Sequence, residues 1–445
     1  MQDALDTYIG RQPVLDRGWN VAGYELLFRS SPENFCDAAD GSAATSQVIV
    51  NAVLGVGLDR LLGGKPAFVN FDRTLLLGDW TTVLPADKIV IEILETVPAE
   101  EEIIRACHRL REQGYALSFH CTADEERTEL FAPFVDLLKV DFQLTSPAVQ
   151  EKMIRRCQQL KIGIVAEKVE TELEFRRASK LGYDYFQGYF FASPTVLHSA
   201  RVPASQMNGL RLMKEVQKED LNFGALEELI RHELSFSHAL LKYLNSAAFH
   251  WAHRVESIRQ ALILLGSKEI RKWVYMASLS SMMQNRPPIL MAQVLMRGRF
   301  CEVIAGFQKL DLGESDPFLA GMFSLLDAIL NRPLEGILDE LNIGRNIRSA
   351  LLGLSDEADP LSVVLRIVKS WEVGDWAGVE SAARIIGMSP DALSNCYLEA
   401  SCWVDSVFAQ EGNKWQASGS PVPMDFRRHA FRPVPPSPVR SSLPA

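Results

Sequence analysis

The sequence has few cysteines, and they do not form the spacings of a disulfide framework or a thiolate metal site. The seven cysteines among 445 residues are odd in number, widely scattered and without a C-x-x-C pair. This usage is typical of reduced thiols in a cytoplasm. No apolar run approaches the roughly 18 residues of a membrane-spanning helix. The first stretch, MQDALDTYIGRQP, is acidic and lacks an apolar segment. We therefore expect no signal peptide, no membrane contact and a cytoplasmic location.

The chain also lacks an excess of basic residues. Lys and Arg number 46 against 56 Asp and Glu, which gives a formal net charge of −10. A general nucleic-acid-binding protein draws its affinity from clustered Lys and Arg, so the balance argues against that class. The negative net charge is still compatible with a small anionic ligand that a few local cations hold.

The residues that are present suffice for two domains and a tail. The composition, 47% hydrophobic and 23% charged, is ordinary for a globular protein, and 445 residues are too many for one core. Residues 1–200 alternate short apolar runs with amphipathic stretches, whereas 201–410 follow helical spacing throughout. Residues 411–445 are rich in Pro, Ser and Arg, which predicts a disordered tail.

The first domain carries eight strand-like runs. They lie at residues 8–15, 21–28, 67–71, 88–93, 115–119, 135–140, 162–166 and 183–191. Helices are predicted at residues 42–62, 99–113, 147–160 and 170–181. Asp16-Arg17-Gly18 is a hairpin signal between the first two strands. Repeated strand–helix units of this size predict an α/β fold with a parallel sheet, most simply a (β/α)8-type barrel.

The second domain is predicted to be an all-α bundle. Its helices are expected at residues 209–217, 223–232, 237–247, 255–265, 267–283, 289–310, 318–331, 333–341, 360–373, 375–386 and 390–410. His250 and His253 have a spacing that can chelate a metal on a helix. Because no acid or thiol lies near them, the sequence favours surface or loop histidines instead.

Polar residues mark the ends of the predicted strands, where a barrel places its reactive side chains. They are Glu25, Asn70, Glu92, Lys139, Asp141, Glu167, Glu170 and Gln187. Carboxylate and amide oxygens suit Mg2+ or Mn2+, and a lysine among them suits the orientation of a water molecule. Any one of these residues alone is compatible with a solvated strand end. Because all of them fall at the ends of successive predicted strands, the whole set predicts a metal-binding site.

These residues also carry a resemblance to the EAL domain family. Glu25-Leu26-Leu27-Phe28-Arg29 looks like the E-x-L-x-R signature, with Leu26 where the name-giving Ala usually stands. Further matching blocks are Gln12-Pro13, Phe68-Val69-Asn70, Glu92-Ile93-Leu94-Glu95, Lys139-Val140-Asp141, Ala166-Glu167-Lys168-Val169-Glu170-Thr171 and Gln187-Gly188-Tyr189. The resemblance covers roughly residues 5–200.

EAL domains are phosphodiesterases that open cyclic di-GMP to linear pGpG with two metal ions. The resemblance implies that the metal ligands, for Mg2+ or Mn2+, are Glu25, Asn70, Glu92, Asp141 and Glu167. It gives Lys139 and Glu170 catalytic roles, with Lys139 serving the attacking water. The residues it places against the cyclic dinucleotide are Gln12, Arg29 and Gln187.

The resemblance fails at one block. Active EAL domains have an Asp-Asp-Phe-Gly block whose first Asp bridges both metal ions, and here His120 and Cys121 stand at the Asp pair. Two divalent cations about 4 Å apart repel strongly and need an anion between them. Neither imidazole nor thiol supplies one, and Mg2+ selects oxygen ligands. We therefore expect an incomplete site in which Lys139 and Glu170 are vestigial.

Alternatives to this inactive barrel stay open. An acid just beyond the block, among Asp124, Glu125 and Glu126, would replace the bridge in an active phosphodiesterase. A second alternative is a receptor that binds cyclic di-GMP without hydrolysing it. A transition-metal or thiol site at His120-Cys121 is disfavoured, because neighbouring strand residues point to opposite faces.

Lys168 stands where the EAL family commonly has Gly. Either its charge substitutes for a lost metal ion or its side chain extends into solvent, and the second interpretation is favoured.

The second domain resembles the HDOD family. Leu241-Lys242-Tyr243-Leu244-Asn245-Ser246-Ala247-Ala248-Phe249 fits L-x-x-x-N-S-A-x-F, and residues 255–266 fit I-x-S-I-x-x-A-I-x-x-L-G. HDOD domains are similar in fold to HD metallohydrolases but lack the metal ligands, and this sequence contains no His-Asp dipeptide. The resemblance implies an interaction module for an unidentified signalling protein, and a homodimer is compatible with it. We expect an inactive EAL–HDOD signalling protein in cyclic di-GMP-linked regulation.

Overall fold

The computed structural model of the chain describes residues 8–29, 62–78, 84–121, 125–190, 204–218, 221–231, 236, 240, 257–283, 287–313, 315–341 and 343–410. These residues belong to two compact units: one holds those up to Phe190 together with residues 408–410, and the other holds those from 204 to Val407. The helices predicted at 42–62 and 237–247 lie almost entirely outside the described residues, and the predicted tail lies wholly outside them.

Eight strands close into a barrel in chain order. They are β1 (Tyr8–Asp16), β2 (Val21–Arg29), β3 (Ala67–Phe71), β4 (Ile89–Ile93), β5 (Ala116–Cys121), β6 (Leu137–Asp141), β7 (Gly163–Glu167) and β8 (Tyr185–Gln187). The predicted barrel is confirmed, with one difference in strand direction. β1 runs antiparallel to both β2 and β8, while the other neighbouring pairs are parallel. The predicted hairpin after β1 produces this reversal.

Five helices of the barrel unit lie among the described residues. They are α1 (Arg73–Leu77), α2 (Glu101–Glu112), α3 (Glu125–Phe131), α4 (Pro147–Leu160) and α5 (Glu172–Leu181). α5 begins with a capping box formed by Thr171 and Glu174, and it ends at Gly182, whose φ of 115° is a left-handed conformation that glycine adopts without strain. α1 and α3 were not predicted, since five and seven residues are too few to display a helical period.

An apolar layer fills part of the barrel interior, and seven strands each contribute one residue to it. These residues are Val14, Ala22, Phe68, Val90, Ala116, Leu137 and Val165, with Tyr185 of β8 packed against them. Side chains two residues apart on a strand share a face. The positions two residues beyond this layer on β3, β4, β6 and β7 therefore also point into the barrel.

The second unit is helical wherever it is described, as predicted. Its helices are α6 (Ala204–Val216), α7 (Phe223–Arg231), α8 (Ile258–Met282), α9 (Pro288–Phe307), α10 (Pro317–Phe323), α11 (Leu326–Leu330), α12 (Leu334–Leu341), α13 (Arg345–Leu352), α14 (Pro360–Val373), α15 (Trp376–Ile386) and α16 (Pro390–Gln410). Gly266, at φ 70° and ψ 172°, breaks α8 between the two helices predicted there. The single helix predicted at 318–331 is instead split into α10 and α11. None of the described helices is both long and apolar enough to span a membrane.

A buried ion pair joins α9 to α14. Arg297 Nη2 lies 2.7 Å from Glu372 Oε2, and the side chains are only 12% and 9% exposed. Arg297 also donates from Nη1 to Ser324 Oγ at 2.9 Å. Because few waters reach either charge, Glu372 depends on Arg297 for its compensation.

Replacing Arg297 with Met should therefore lower the opening free energy of α14 by about 3 kcal/mol. The matched control is Arg384→Met, which breaks the exposed pair with Glu380 on α15 and should cost less than about 0.5 kcal/mol. Native-state hydrogen exchange of peptides from the two helices measures both values. Equal changes in the two variants would show that the Arg297 pair does not hold the bundle together.

Candidate functional site

Six of the eight predicted strand-end residues converge at the mouth of the barrel, and His120 joins them. We call the following side chains the mouth cluster: Glu25, Asn70, Glu92, His120, Lys139, Glu167 and Gln187. Asn70 and Glu92 are paired positions on β3 and β4, and His120 and Lys139 are paired positions on β5 and β6. Glu25 lies within β2, not at its end as predicted, because the strand continues to Arg29.

Lys139 is the centre of the mouth cluster. Its Nζ lies 2.9 Å from Glu25 Oε2, 2.6 Å from Glu92 Oε1 and 2.9 Å from Glu167 Oε1. The Lys139 side chain has no solvent exposure. Burial alone would lower the pKa of Lys139, but the carboxylates of Glu167, Glu25 and Glu92 outweigh it and raise the pKa well above its usual value. The ammonium therefore stays charged and is committed to these three carboxylates.

The carboxylate of Glu25 is held in its charged form. Its Oε2 accepts a hydrogen bond from Gln187 Nε2 at 2.6 Å, and its Oε1 accepts one from Asn70 Nδ2 at 3.1 Å. Burial would raise the pKa of Glu25, but the charge of Lys139 and the hydrogen bond from Gln187 lower it to about 2. Gln187 Nε2 also donates to Gln12 Oε1 at 2.7 Å, so Gln12 joins the edge of the cluster.

His120 lies between two carboxylates of the mouth cluster. Its Nε2 is in close contact with Glu92 Oε1, and its Nδ1 lies 3.2 Å from Glu167 Oε2. Because a carboxylate faces each ring nitrogen, both nitrogens donate only in the doubly protonated imidazolium. Burial would lower the pKa of His120, but Glu167 and Glu92 raise it above its ordinary value. In either protonation state the imidazole brings no negative charge to the position where the EAL resemblance implies a bridging anion.

Three buried oxygens of the mouth cluster have no hydrogen-bond partner among the described residues. They are Asn70 Oδ1, Glu92 Oε2 and Gln187 Oε1. Buried acceptors are normally satisfied, so a group of unsatisfied ones at one mouth indicates a place where a donor or a cation binds.

Asp141 lies at the end of β6 and is already paired. Lys168 Nζ lies 2.7 Å from its Oδ2, although the Lys168 side chain is 62% exposed. Burial would raise the pKa of Asp141, but the hydrogen bond from Lys168 lowers it. Lys168 has φ 54°, a left-handed conformation that suits the glycine common in the EAL family. The side chain thus extends toward solvent, as the sequence favoured, and still neutralises Asp141.

The other predicted site residues lie outside the mouth cluster. Glu170 is exposed, and among the described contacts its own backbone N–H donates to Glu174. Burial raises the pKa of the Cys121 thiol to about 12, which makes it a poor nucleophile. The side chains of Arg29, Asp124, Glu125 and Glu126 lie outside the described residues. The contacts of His120 were not predicted, because a single histidine in a sequence does not indicate which carboxylates the folded barrel brings next to it.

Comparison with known proteins assigns a family to each part of the chain. Residues 76–194 match the EAL domain family and residues 202–328 match the HDOD domain family. The uncharacterised protein YuxH of Bacillus subtilis is 32% identical over 91% of this chain and 99% of its own length. The cyclic di-GMP phosphodiesterase CdgJ of Vibrio cholerae is 30% identical over 90% of this chain and 93% of its own length. The chain belongs to the EAL–HDOD family.

Among solved structures, BlrP1 of Klebsiella pneumoniae, in a complex with manganese and cyclic di-GMP, has a TM-score of 0.37 at 22% identity. The match covers 43% of the EAL–HDOD chain and 56% of the BlrP1 chain. The EAL match begins at residue 76, after β1, β2 and β3. Glu25 and Asn70 precede that match, yet the closed barrel brings both to the same mouth as Glu92 and Lys139.

The donors of this EAL–HDOD protein do not fit the bridged pair of ions that the EAL resemblance implies. His120 supplies no negative charge for a bridge, and Asp141 is neutralised by Lys168. Asn70 Oδ1 and Glu92 Oε2 still offer buried oxygens. Such a donor set fits at most one cation.

Proposed function

We propose that this EAL–HDOD protein is a regulatory protein of cyclic di-GMP-linked signalling whose barrel does not hydrolyse the cyclic dinucleotide. The observation that carries the proposal is the His120 ring, which contacts Glu92 at one nitrogen and Glu167 at the other. Two-ion hydrolysis needs an anion that both ions share. The imidazole in that place supplies no such anion, so we expect the barrel to lack its catalytic pair.

The same barrel keeps polar groups that suit ligand recognition. Gln187 and Gln12 form a hydrogen-bonded pair at the mouth, and Gln187 Oε1 has no partner among the described residues. The EAL resemblance gives both residues, together with Arg29, contacts with the cyclic dinucleotide. We therefore include non-hydrolytic binding of cyclic di-GMP as one form of the regulatory role, with Mg2+ or Mn2+ as the ion if one assists it.

The helical domain is the proposed interaction module. Its family match begins at residue 202, and the EAL match ends at residue 194. We accordingly propose a boundary near residue 200, with a helical domain over 201–410 that engages a signalling protein or a second copy of the chain. A pull-down of partners by the full-length protein, compared with a variant lacking residues 201–410, tests this role. Equal recovery by both would assign the interaction to the barrel.

Hydrolysis is tested by incubating the purified full-length protein with cyclic di-GMP and either Mg2+ or Mn2+. We expect no pGpG above the rate of a sample without protein, as measured by liquid chromatography. Calorimetry with cyclic di-GMP, with and without each ion, tests binding separately. Accumulation of pGpG at enzymatic rates would contradict the proposal, whereas heat of binding without pGpG would identify the receptor form.

A second candidate function is an active cyclic di-GMP phosphodiesterase. The specific observation in its favour is the 30% identity with CdgJ, which carries that name. Activity would require a replacement bridging acid, for which Asp124, Glu125 and Glu126 are the nearest candidates in sequence. Substituting all three with their amides would abolish pGpG formation in that case.

A further inference from the structure

We propose that the mouth of the barrel binds one divalent transition-metal ion, such as Zn2+, with His120 as a ligand. The inference rests on the proposed function, because it takes the bridged ion pair to be lost. Candidate ligand atoms of Glu92, His120 and Glu167 all lie within 4.8 Å of one another. That separation is short enough for one ion to contact several of them, since metal–oxygen and metal–nitrogen bonds to Zn2+ are roughly 2.0–2.2 Å.

Unsatisfied oxygens at the same mouth provide independent support. The Glu92 side chain is fully buried, and its Oε2 has no hydrogen-bond partner among the described residues. Asn70 Oδ1 likewise has no hydrogen-bond partner among the described residues, and Asn70 lies opposite Glu92 in the pairing of β3 with β4. Lys139 satisfies Glu92 only at Oε1, so Oε2 keeps its lone pairs for another electrophile.

The orientation of His120 fits a metal ligand. Metal-binding imidazoles usually donate their second ring N–H to a carboxylate, which fixes the ring. Here Nδ1 lies 3.2 Å from Glu167 Oε2, while Nε2 faces Glu92. Glu167 would then orient the ring, and His120 Nε2, after losing its proton, would meet the ion together with Glu92.

The donor chemistry selects the ion. A neutral imidazole with carboxylate and amide oxygens suits Zn2+ and its first-row neighbours, whereas Mg2+ prefers an all-oxygen set. Histidine in place of a bridging acid would therefore change the binding preference of the mouth from two ions such as Mg2+ to one ion such as Zn2+. Cys121 takes no part, since successive strand residues point to opposite faces and its thiol stays protonated.

The test uses full-length protein that has been stripped with a chelator and then exposed to Zn2+ or Mg2+. Elemental analysis after desalting should find one Zn2+ per chain and no retained Mg2+. His120→Asn, which keeps a polar side chain of smaller size, should weaken Zn2+ binding at least about tenfold in a competition titration. His108→Asn is the control, because His108 packs edge-on against Phe134 away from the mouth and its replacement should leave Zn2+ binding unchanged.

Co2+ provides a readout that does not depend on stability. The visible absorption of the Co2+-loaded protein should change in both His120→Asn and Glu92→Gln, while circular dichroism checks that the variants are folded. The inference is overturned if the wild type retains no Zn2+, or if both variants keep the wild-type spectrum and affinity. Two bound Mn2+ ions with pGpG formation would instead overturn the proposed function, so the two failures are distinguishable.

Discussion

Replacing Lys139 with Met should destabilise the barrel by about 4 kcal/mol, because the variant leaves buried carboxylates without their cation. Methionine has a similar length and keeps the packing beneath the mouth. The ammonium of Lys139 lies within 2.9 Å of Glu25, Glu92 and Glu167, and among the described residues no other lysine or arginine forms an ion pair with them. Removing it exposes each carboxylate to the repulsion of the other two.

The loss should be local to the barrel, and hydrogen exchange can locate it. Peptides that contain β4, β6 and β7 should exchange faster in Lys139→Met, while those from α14 should keep their wild-type rates. Lys168→Met is the matched control, since it removes an exposed lysine from Asp141 and should cost less than about 1 kcal/mol. Similar protection in both variants would show that the three carboxylates do not depend on Lys139.

Changing His120 to Asp and Lys168 to Gly should restore binding of Mn2+ or Mg2+. The pair of substitutions replaces an imidazole by an anion beside Glu92 and frees the carboxylate of Asp141. One unit charge about 4 Å from another is worth roughly 4 kcal/mol at an effective dielectric constant near 20. We therefore expect Mn2+ to bind at least about a hundredfold more tightly, since about 1.4 kcal/mol corresponds to a factor of ten. Glycine also suits the left-handed backbone at position 168.

The control for this gain is His120→Asn with Lys168→Gly, which removes the same imidazole and ammonium groups without adding an anion. Calorimetry compares Mn2+ affinity between the two double variants, and chromatography follows the conversion of cyclic di-GMP to pGpG. We expect hydrolysis in the Asp variant alone. If the two double variants bind Mn2+ equally, the missing anion is not what separates this barrel from a hydrolytic one.

Much of the barrel and of its mouth follows from local patterns. Short apolar runs bounded by polar connections correspond closely to the strands, with β3 (Ala67–Phe71) matching its predicted bounds at both ends. Parallel strands bring their carboxyl ends to one edge, so residues as far apart as Glu25 and Gln187 were expected to meet, and Gln187 donates to Glu25 at 2.6 Å.

Other features depend on the closed barrel and on backbone conformation. His120 on β5 contacts Glu92 on the adjacent strand β4 and Glu167 on β7, which is not adjacent to β5. Only the closed barrel brings these three side chains together. The pairing of Lys168 with Asp141 depends on a left-handed backbone conformation at position 168, which lysine rarely adopts. The helix α13 (Arg345–Leu352) was not predicted, although α12 (Leu334–Leu341) has the same length and was.

The number of ions at the mouth is the most direct test of the proposal that this barrel has lost its catalytic pair. A crystal of the full-length protein grown or soaked with Mn2+ and cyclic di-GMP, and measured at a wavelength where manganese scatters anomalously, would reveal each bound ion. We expect at most one anomalous peak, close to Glu92 and His120. Two fully occupied peaks roughly 4 Å apart, bridged by one protein oxygen or water, would contradict the proposal.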